Sequence, residues 1–258
     1  MSMRTALAHL VPHHGLAFRL ARKIVNLHHG DNDFDFQTNG ELRVMRTVLP
    51  HCRVVFDIGA NVGEWTELAL TINPNLQIHC FEPSAATFAR LSALNLPANV
   101  TRNHFGLGSE AEERTLFVYA EGSGANSVHF RIGTPAAPIG EERISLRTFD
   151  DYTKDEVDFV KIDVEGNEVA VLRGASNALR AGRIGVVQFE YGGAYIDARV
   201  LLKDIFELVE NLNRDYSFFK IFPDGPRPVP RYVQTLETFQ YSNWLIARKD
   251  WVARLGSR

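Results

Sequence analysis

Short apolar runs alternate along the chain with longer segments in which apolar residues recur at helical spacing. The run at 54–58 combines valine, phenylalanine and isoleucine, which is typical of a parallel strand buried on both faces. Similar runs, also predicted as strands, lie at 77–81, 99–104, 159–163 and 185–191. The segments with helical spacing lie at about 64–72, 84–95, 168–181 and 197–213. This alternation predicts an α/β fold with a mostly parallel sheet and helices on both faces.

The alternation is interrupted twice. Residues 121–142 are rich in glycine, serine and proline, and a connection of this length predicts a flap-like insertion between two extended segments. Near the end of the chain, strands at 217–222 and 241–248 flank a proline-rich loop at 223–230. This late pair predicts that an antiparallel edge strand completes a seven-stranded, mostly parallel sheet.

The length and composition suit one domain with an extension. The chain has 258 residues and 29.0 kDa, and 45% of its residues are hydrophobic, which is enough for a sizeable core. We assign residues 1–40 to an N-terminal helical extension and residues 41–250 to the main domain. The net charge of −3 and the pI near 6.3 argue against nucleic acid as a partner.

The sequence also carries expectations about location. No apolar run approaches the roughly 18 residues of a membrane span, and no signal peptide is recognisable. Cys52 and Cys80 each adjoin a predicted core strand, and two such thiols are expected to stay reduced. We therefore predict a cytoplasmic protein without a transmembrane segment.

The segment at 4–29 is basic, with four arginine or lysine residues, five histidines and no acid. Leu16, Leu20, Ile24 and Leu27 repeat at helical spacing and place an apolar stripe beside the cations. One interpretation is a helix that contacts a membrane surface or a lipid-linked substrate. The other, which we favour, is a helix that packs over the main domain.

The first predicted strand runs into the segment Asp57-Ile-Gly-Ala-Asn-Val-Gly63 and then into a helix. Gly59 and Gly63 lack the Cβ atoms that would keep the backbone away from a ligand, and the helix presents free N–H groups. The dinucleotide pattern G-x-G-x-x-G is not met, because its middle glycine is missing. An acid in the strand would repel a pyrophosphate but suits the cationic methionine end of S-adenosylmethionine. We therefore predict a methyl-donor pocket; the alternative is an ordinary βα turn, in which the same spacing also occurs.

Glu82 follows the second predicted strand in the sequence Phe81-Glu-Pro83. In nucleotide-binding α/β folds, a carboxylate at this position accepts hydrogen bonds from both ribose hydroxyls. Alternatively, Glu82 and Ser84 cap the next helix, where an acid interacts favourably with the helix dipole. The order and spacing relative to Asp57 favour the ribose role.

Three acids lie at the ends of the next two parallel strands. Asp163 and Glu165 end the fourth predicted parallel strand, and Glu190 ends the fifth. A carboxylate there could accept the proton of a substrate hydroxyl. Asp163 and Glu190 could instead hold Mg²⁺, which takes oxygen ligands and lowers the pKa of a bound hydroxyl. The structural alternative is that Asp163 pairs with Lys161.

The order of these motifs resembles the FkbM family of S-adenosylmethionine-dependent methyltransferases. The similarity spans roughly residues 28–248, and its most specific piece is Lys161-Ile-Asp-Val-Glu-Gly166. The other shared pieces are Asp57-Ile-Gly-Ala-Asn-Val-Gly63, Phe81-Glu-Pro83, Gly106-Leu-Gly-Ser109, Val171-Leu-Arg-Gly-Ala175, Glu190 and Tyr241-Ser-Asn-Trp-Leu245.

This resemblance implies a class I methyltransferase with a Rossmann-like fold that O-methylates hydroxyls, commonly on sugars of glycans, glycolipids or secondary metabolites. Glu82 would hold the ribose of S-adenosylmethionine and Ser109 would lie near its adenine. The residues at its methionine end would be Asp57, Gly59, Asn61 and Gly63. The catalytic residues facing a hydroxylated small molecule or glycan would be Asp163, Glu165 and Glu190.

Three other functions fit the sequence less well. An N-methyltransferase would be expected to carry an Asn/Asp-Pro-Pro-Tyr motif, which is absent. A non-catalytic module that only binds the adenosyl cofactor would not need the acids on the substrate side, which this chain keeps. An NAD-dependent oxidoreductase would need the missing glycine.

Overall fold

A computed structural model describes residues 15–120, 124–132 and 137–255. Two helices, α1 (Leu16–His29) and α2 (Glu41–Val48), precede the first strand. The first part of the main sheet and its helices are β1 (Val54–Ile58), α3 (Glu64–Ile72), β2 (Gln77–Phe81), α4 (Ala85–Ala93) and β3 (Val100–Asn103). These bounds agree closely with the predicted elements, because β1 and β2 are mostly apolar and each ends at a polar turn.

The second part of the chain first forms a small sheet and then returns to the main one. The small sheet contains β4 (Gly106–Leu107), β5 (Glu112–Val118) and β6 (Gly140–Arg147). The elements that follow are α5 (Phe149–Tyr152), β7 (Val157–Ile162), α6 (Glu168–Gly174), α7 (Ser176–Arg180), β8 (Ile184–Tyr191), α8 (Ala194–Ala198), α9 (Leu202–Leu212), β9 (Tyr216–Phe222), β10 (Gly225–Val229), β11 (Ser242–Arg248) and α10 (Lys249–Val252). Short 3-10 helices lie at Leu49–His51, Gln234–Leu236 and Ala253–Leu255.

The main sheet has the strand order β10-β9-β11-β8-β7-β1-β2-β3. Strands β8, β7, β1, β2 and β3 are parallel, whereas β11 runs antiparallel to both β8 and β9. The chain order reverses between β1 and β7, and ligands bind at such a switch point in open α/β sheets. The predicted fold class, a mostly parallel α/β sheet with antiparallel strands, is confirmed.

The strand count differs from the prediction of seven. The predicted loop at 223–230 contains an eighth strand, β10, which pairs antiparallel with β9. Pro226 and Pro228 cannot donate backbone hydrogen bonds, and the strand tolerates them because it lies at the edge of the sheet. The antiparallel β11 is not at the edge but between β8 and β9.

Two hydrophobic cores cover the two faces of the sheet. All five residues of β1 are buried, and their side chains alternate between the cores. Phe56 and Ile58 belong to the core formed with α6, α7 and α9, whereas Val55 belongs to the core formed with α2 and α3. The rigid centre of the sheet therefore positions the loops at the carboxyl ends of β1, β2, β7 and β8.

The described residues of the interruption at 121–142 pair with the small sheet. Phe117 and Ser127 form a reciprocal pair of backbone hydrogen bonds at 2.8 and 3.2 Å, and Ile139 N–H donates to the carbonyl of Val118 at 2.7 Å. The last residues of the predicted insertion belong to β6, which begins at Gly140. Residues 121–123 and 133–136 of the expected flap lie outside the described residues.

The helix α1 does not pack over the main domain, contrary to the interpretation favoured from the sequence. None of its 14 residues is buried. Helical spacing shows that α1 has an apolar face, but it does not show whether another element of the chain covers that face. Among the described residues, no helix is long and apolar enough to cross a membrane.

Candidate active site

Two cavities open beside each other at the carboxyl ends of the parallel strands. The first spans about 680 Å³, including space open to solvent, between the ends of β1, β2 and β7 and the small sheet. The second spans about 1070 Å³, again including open space, beside the end of β8 and the segment before β11. Asp163 and Glu165 line both cavities, as does Gly124.

The turn after β1 forms one wall of the first cavity. Gly59 has a φ of +82°, and a Cβ atom at this position would lie 1.9 Å from the carbonyl oxygen of Asp163. Only glycine therefore allows the turns after β1 and β7 to approach so closely. Asn61 also adopts a left-handed conformation, with a φ of 48°, and lines the cavity.

Glu82 lies between this turn and the start of α4. One carboxylate oxygen accepts the N–H of Asn61 at 3.0 Å, and the other accepts the N–H of Ser84 at 2.9 Å. Burial raises the pKa of Glu82 to about 7, although both N–H groups favour the ionised form. Glu82 thus contacts the residue before α4 and also lines the cavity, so both interpretations of this acid are compatible with its position.

Three of the six predicted cofactor residues line the cavity, namely Gly59, Asn61 and Glu82, and three do not. Asp57 is fully buried beneath the turn, where its Oδ2 accepts a hydrogen bond from Thr66 Oγ1 at 2.7 Å. Burial raises the pKa of Asp57, and the charge of Lys161 opposes that shift.

Gly63 and Ser109 also lie away from the cavity wall. A Cβ atom on Gly63 would come within 2.8 Å of the side chains of Leu91 and Leu94, so this glycine allows α3 to pack against the end of α4. Ser109 is exposed, and Leu107, two residues earlier, contributes to the wall instead. Motif spacing identified the turn correctly but not which of its side chains face the cavity.

The small sheet supplies a wall that sequence reasoning missed. The wall is apolar and consists of Leu107, Leu116, Ile144 and Leu146 from the small sheet, together with Val128 from the segment at 124–132. The alternation of apolar and polar residues in β5 and β6 signals one buried face, but the sequence does not show which element that face covers. Asn126 and Asn167 add amide groups to the same cavity.

Asp163 is held in place by a buried lysine. Lys161 Nζ donates to Asp163 Oδ2 at 2.9 Å, and the Lys161 side chain is 8% exposed. Burial lowers the pKa of Lys161, but the surrounding carboxylates of Asp163, Asp57, Glu190 and Glu41 outweigh burial and leave this pKa raised. The ion pair leaves Asp163 Oδ1 outside the contact with Lys161.

Glu165 connects the loop after β7 to the residues that cover the cavities. Arg131 donates to Glu165 Oε2 at 2.8 Å, and Ser127 Oγ donates to the Glu165 carbonyl at 2.7 Å. Burial and the charge of Asp163 raise the pKa of Glu165 to about 7, against the charge of Arg131. These contacts hold the segment at 124–132 against the strand ends.

Glu190 lies on the wall of the second cavity at the end of β8. Tyr241 donates its hydroxyl to Glu190 Oε1 at 3.1 Å, and the Tyr241 ring stacks on Phe34 with 4.4 Å between centroids. Burial, and then the charge of Asp163, raise the pKa of Glu190 well above its ordinary value. Aromatic rings and carboxylates therefore line this cavity together.

The described residues give no support for the predicted magnesium site. No group of three histidine, cysteine, aspartate or glutamate side chains there is placed to hold a metal ion together. Lys161 occupies one oxygen of Asp163, and Tyr241 occupies one oxygen of Glu190. The hypothesis of a bound Mg²⁺ is not supported, and no step below depends on a metal.

The main sheet has the strand order of a Rossmann-like methyltransferase fold, and both cavities lie at its switch point. The family described as "Methyltransferase FkbM domain" matches residues 57–218, which is more than half of the chain. This protein therefore belongs to the FkbM family of methyltransferases.

Three relatives give the range of similarity. The hexuronic acid methyltransferase AglP of Haloferax volcanii is 28% identical over 190 residues, which are 69% of this chain and 75% of AglP. Methyltransferase 1 of Beauveria bassiana is 27% identical over 147 residues, which are 48% and 59% of the two chains. The crystal structure of methyltransferase FkbM from Methylobacillus flagellatus KT has a TM-score of 0.48 and 16% identity, over 76% of this chain and 43% of that one.

Proposed function

We propose that this protein transfers the methyl group of S-adenosylmethionine to a hydroxyl group of a sugar in a glycan, a glycolipid or a secondary metabolite. The observation that carries the proposal is the junction of the two cavities at Asp163 and Glu165. A donor in the first cavity and an acceptor in the second would meet at these carboxylates. Family membership supports methyl transfer as the reaction.

The first cavity suits the three parts of the donor. Glu82 is placed to accept hydrogen bonds from ribose hydroxyls, which a carboxylate does well. The apolar wall around Leu107 and Leu146 suits the flat face of adenine. Gly59 and Asn61 lie next to Asp163, so the cationic methionine end would face the acidic junction of the cavities. In this proposal Asp57 supports the turn from below rather than touching the donor.

The second cavity suits a sugar. Phe34, Tyr191, Phe239 and Tyr241 provide aromatic faces, and Glu190 provides a carboxylate that can accept hydrogen bonds from hydroxyls. The name of the relative AglP, a hexuronic acid methyltransferase, supports a carbohydrate as the acceptor class. Arg131 lines the same cavity and is the cation available to an acidic sugar.

The reaction is an in-line displacement at the methyl carbon. The acceptor oxygen bonds to that carbon while the bond between carbon and sulfur breaks, and the hydroxyl proton passes to the Asp163 carboxylate. The sulfonium loses its positive charge as Asp163 loses its negative charge. Holding the two reactants in line is the main contribution of such a site, because orientation removes a large part of the barrier.

One observation favours a second acceptor class, namely amines. Asp163, Glu165 and Glu190 surround the junction, and three carboxyl groups would attract a cationic amino group. An N-methyltransferase would, however, also require a neutral amine at the moment of attack, and the same acids oppose its deprotonation. We therefore keep the hydroxyl as the acceptor.

The test is a transfer assay with methyl-labelled S-adenosylmethionine and a panel of neutral hexosides, hexuronic acids and amino sugars. We expect label in a base-stable methyl ether of a neutral or acidic sugar, with one S-adenosylhomocysteine released per ether formed. Label found only on the amino group of amino sugars would replace the hydroxyl proposal with N-methylation. Donor binding without transfer to any member, and without slow release of S-adenosylhomocysteine, would favour a non-catalytic module.

A further inference from the structure

The helix α1 exposes a continuous apolar surface to solvent. Leu16 is 84% exposed, Leu20 59%, Ile24 58% and Leu27 60%, and no residue of the helix is buried. Single exposed apolar side chains are ordinary on a protein surface, but a contiguous row of them marks an interaction site. The described part of the chain does not cover this row.

The charges of α1 are arranged around the apolar row. At 3.6 residues per turn, Leu16, Leu20, Ile24 and Leu27 fall within an arc of about 80°. Arg19, Arg22 and Lys23 occupy the adjoining arc of about 100°. There is no acid from residue 15 to residue 30, although the whole chain has a net charge of −3. The helix is thus a cationic amphipathic element on an acidic protein.

Further exposed apolar side chains follow α1 in the chain, and one of them reaches the second cavity. Phe34 is 72% exposed and lines that cavity, and Phe36 is 42% exposed. On another part of the rim, Ile132 is 81% exposed and Ile196 59%. Ile132 N–H donates to Asp197 at 3.1 Å, which brings these two isoleucines to the same part of the surface.

We propose that α1 lies in the surface of an anionic lipid bilayer and places the mouth of the second cavity at that surface. With 14 residues the helix is about 21 Å long, which suits an interfacial helix rather than a spanning one. Arg19 and Lys23 can reach the headgroups while their alkyl chains follow the leucines into the acyl region. The proposal goes beyond methyl transfer and does not depend on it.

Charge complementarity selects the bilayer over a second copy of the chain. A second α1 would bring the same three arginine or lysine side chains and no acid, so the like charges would repel. Anionic headgroups provide the missing negative charge, and the attraction of each lysine or arginine to such a surface weakens as the ionic strength rises. A cavity mouth held at that surface would be open to an acceptor that carries a lipid anchor, which is the one consequence that rests on the proposed function.

The experiment is flotation of the full-length protein with vesicles of phosphatidylcholine, alone or with about 30 mol % phosphatidylglycerol. We expect the bound fraction on the anionic vesicles to exceed that on neutral vesicles by about tenfold or more, and to fall as salt rises from about 0.1 to 0.5 M. The double variant L20Q and I24Q should bind the anionic vesicles about tenfold less, although its charge is unchanged. The pair R19Q and R22Q should abolish the preference for anionic lipid.

The matched control is the pair L201Q and V233Q. Leu201 and Val233 are each 40% exposed and lie outside α1, so this control removes exposed apolar surface elsewhere and should bind as the native protein does. The proposal is overturned if the native protein stays unbound at low salt, or if the L20Q and I24Q pair binds as well as the control. Self-association that the same pair abolishes, without vesicle binding, would assign the face to a second copy.

Discussion

The two acids at the ends of β7 and β8 differ in their partners. Asp163 is paired with the buried Lys161 and touches both cavities, whereas Glu190 accepts the hydroxyl of Tyr241 and lines only the second. A proton acceptor must reach the place where donor and acceptor meet, and Asp163 does. In our account Glu190 shapes and binds the acceptor, while Glu165 holds Arg131 and the covering segment.

Replacing Asp163 separates binding from chemistry. We expect D163N to bind S-adenosylhomocysteine with an affinity close to that of the native protein, because the first cavity keeps its other walls. Turnover should fall by about 10²-fold to 10⁴-fold, which is the usual contribution of a positioned general base. Calorimetry and a single-turnover transfer assay measure the two effects.

D224N, which removes an exposed acid paired with Arg227, is the control and should match the native protein. Near-native turnover in D163N would remove Asp163 from the mechanism.

Replacing Glu82 separates the ribose role from helix capping. Glu142 also accepts an N–H at the start of α4, from Ala85 at 2.6 Å, but it does not line the first cavity. We expect E82Q to weaken binding of S-adenosylhomocysteine by about 10-fold to 100-fold, the cost of losing hydrogen bonds to a charged acceptor. E142Q should bind as the native protein does. Equal losses in both variants would mean that Glu82 acts only by capping α4.

The pH dependence of donor binding follows from the same residue. Burial raises the pKa of Glu82 to about 7, so its carboxyl is protonated below pH 7 and ionised above it. Ribose hydroxyls donate to the ionised form, and the affinity for S-adenosylhomocysteine should therefore rise about tenfold from pH 6 to pH 8. The rise should disappear in E82Q. A flat profile in the native protein, or an unchanged rise in E82Q, would contradict this assignment.

At the level of elements, the turn between β7 and α6 is built around a buried acid. Glu168 is 1% exposed, and its carboxylate accepts the N–H of Gly166 at 3.0 Å and that of Val164 at 3.2 Å. These bonds set the path of the backbone from Asp163 to α6, including Glu165 at its positive φ of 52°. This buried acid thus shapes the loop that joins the two cavities.

This buried acid makes stability depend on pH. Burial raises the pKa of Glu168 from 4.5 to about 8, so the folded chain holds its proton more tightly than the unfolded chain. Its contribution to the free energy of unfolding is complete below pH 4.5 and is lost as the pH rises to about 8, by up to roughly 1.4 kcal/mol for each pH unit.

Urea unfolding at pH 5, 6.5 and 8 measures the effect. We expect the free energy of unfolding of the native protein to decrease across this series and the decrease to be smaller in E168Q. E67Q, which changes an exposed acid in the first turn of α3, is the control and should keep the native slope. The assignment fails if E168Q and E67Q show the same slope.

At the level of the whole molecule, the sequence predicted the parallel half of the sheet best. Strands β1, β2, β7 and β8 are apolar at most positions, and the turn at Gly59 and the acid Glu82 follow β1 and β2 at recognisable positions. The edge strand β10 was missed because Pro226 and Pro228 are typical of loops, and only its edge position makes them acceptable in a strand.

The walls of the site were harder to predict than its motifs. Most of the apolar wall comes from β5 and β6, whose residues lie outside the motifs and meet them only through the tertiary fold, whereas Leu107 of β4 lies within the motif Gly106-Leu-Gly-Ser109. Asp57 belongs to the motif but lies below the turn, since strand side chains alternate and its side is the one that faces α3. The exposure of α1 is likewise a property of the folded chain.

The central claim is that the cavity formed by Gly59, Asn61 and Glu82 binds S-adenosylmethionine. It is tested most directly by calorimetric titration of the native protein with S-adenosylhomocysteine, with NAD⁺ as the control, in EDTA and then with Mg²⁺. We expect saturable binding of one S-adenosylhomocysteine per chain, no binding of NAD⁺, and the same affinity in both buffers. Absence of S-adenosylhomocysteine binding in both buffers would contradict the account.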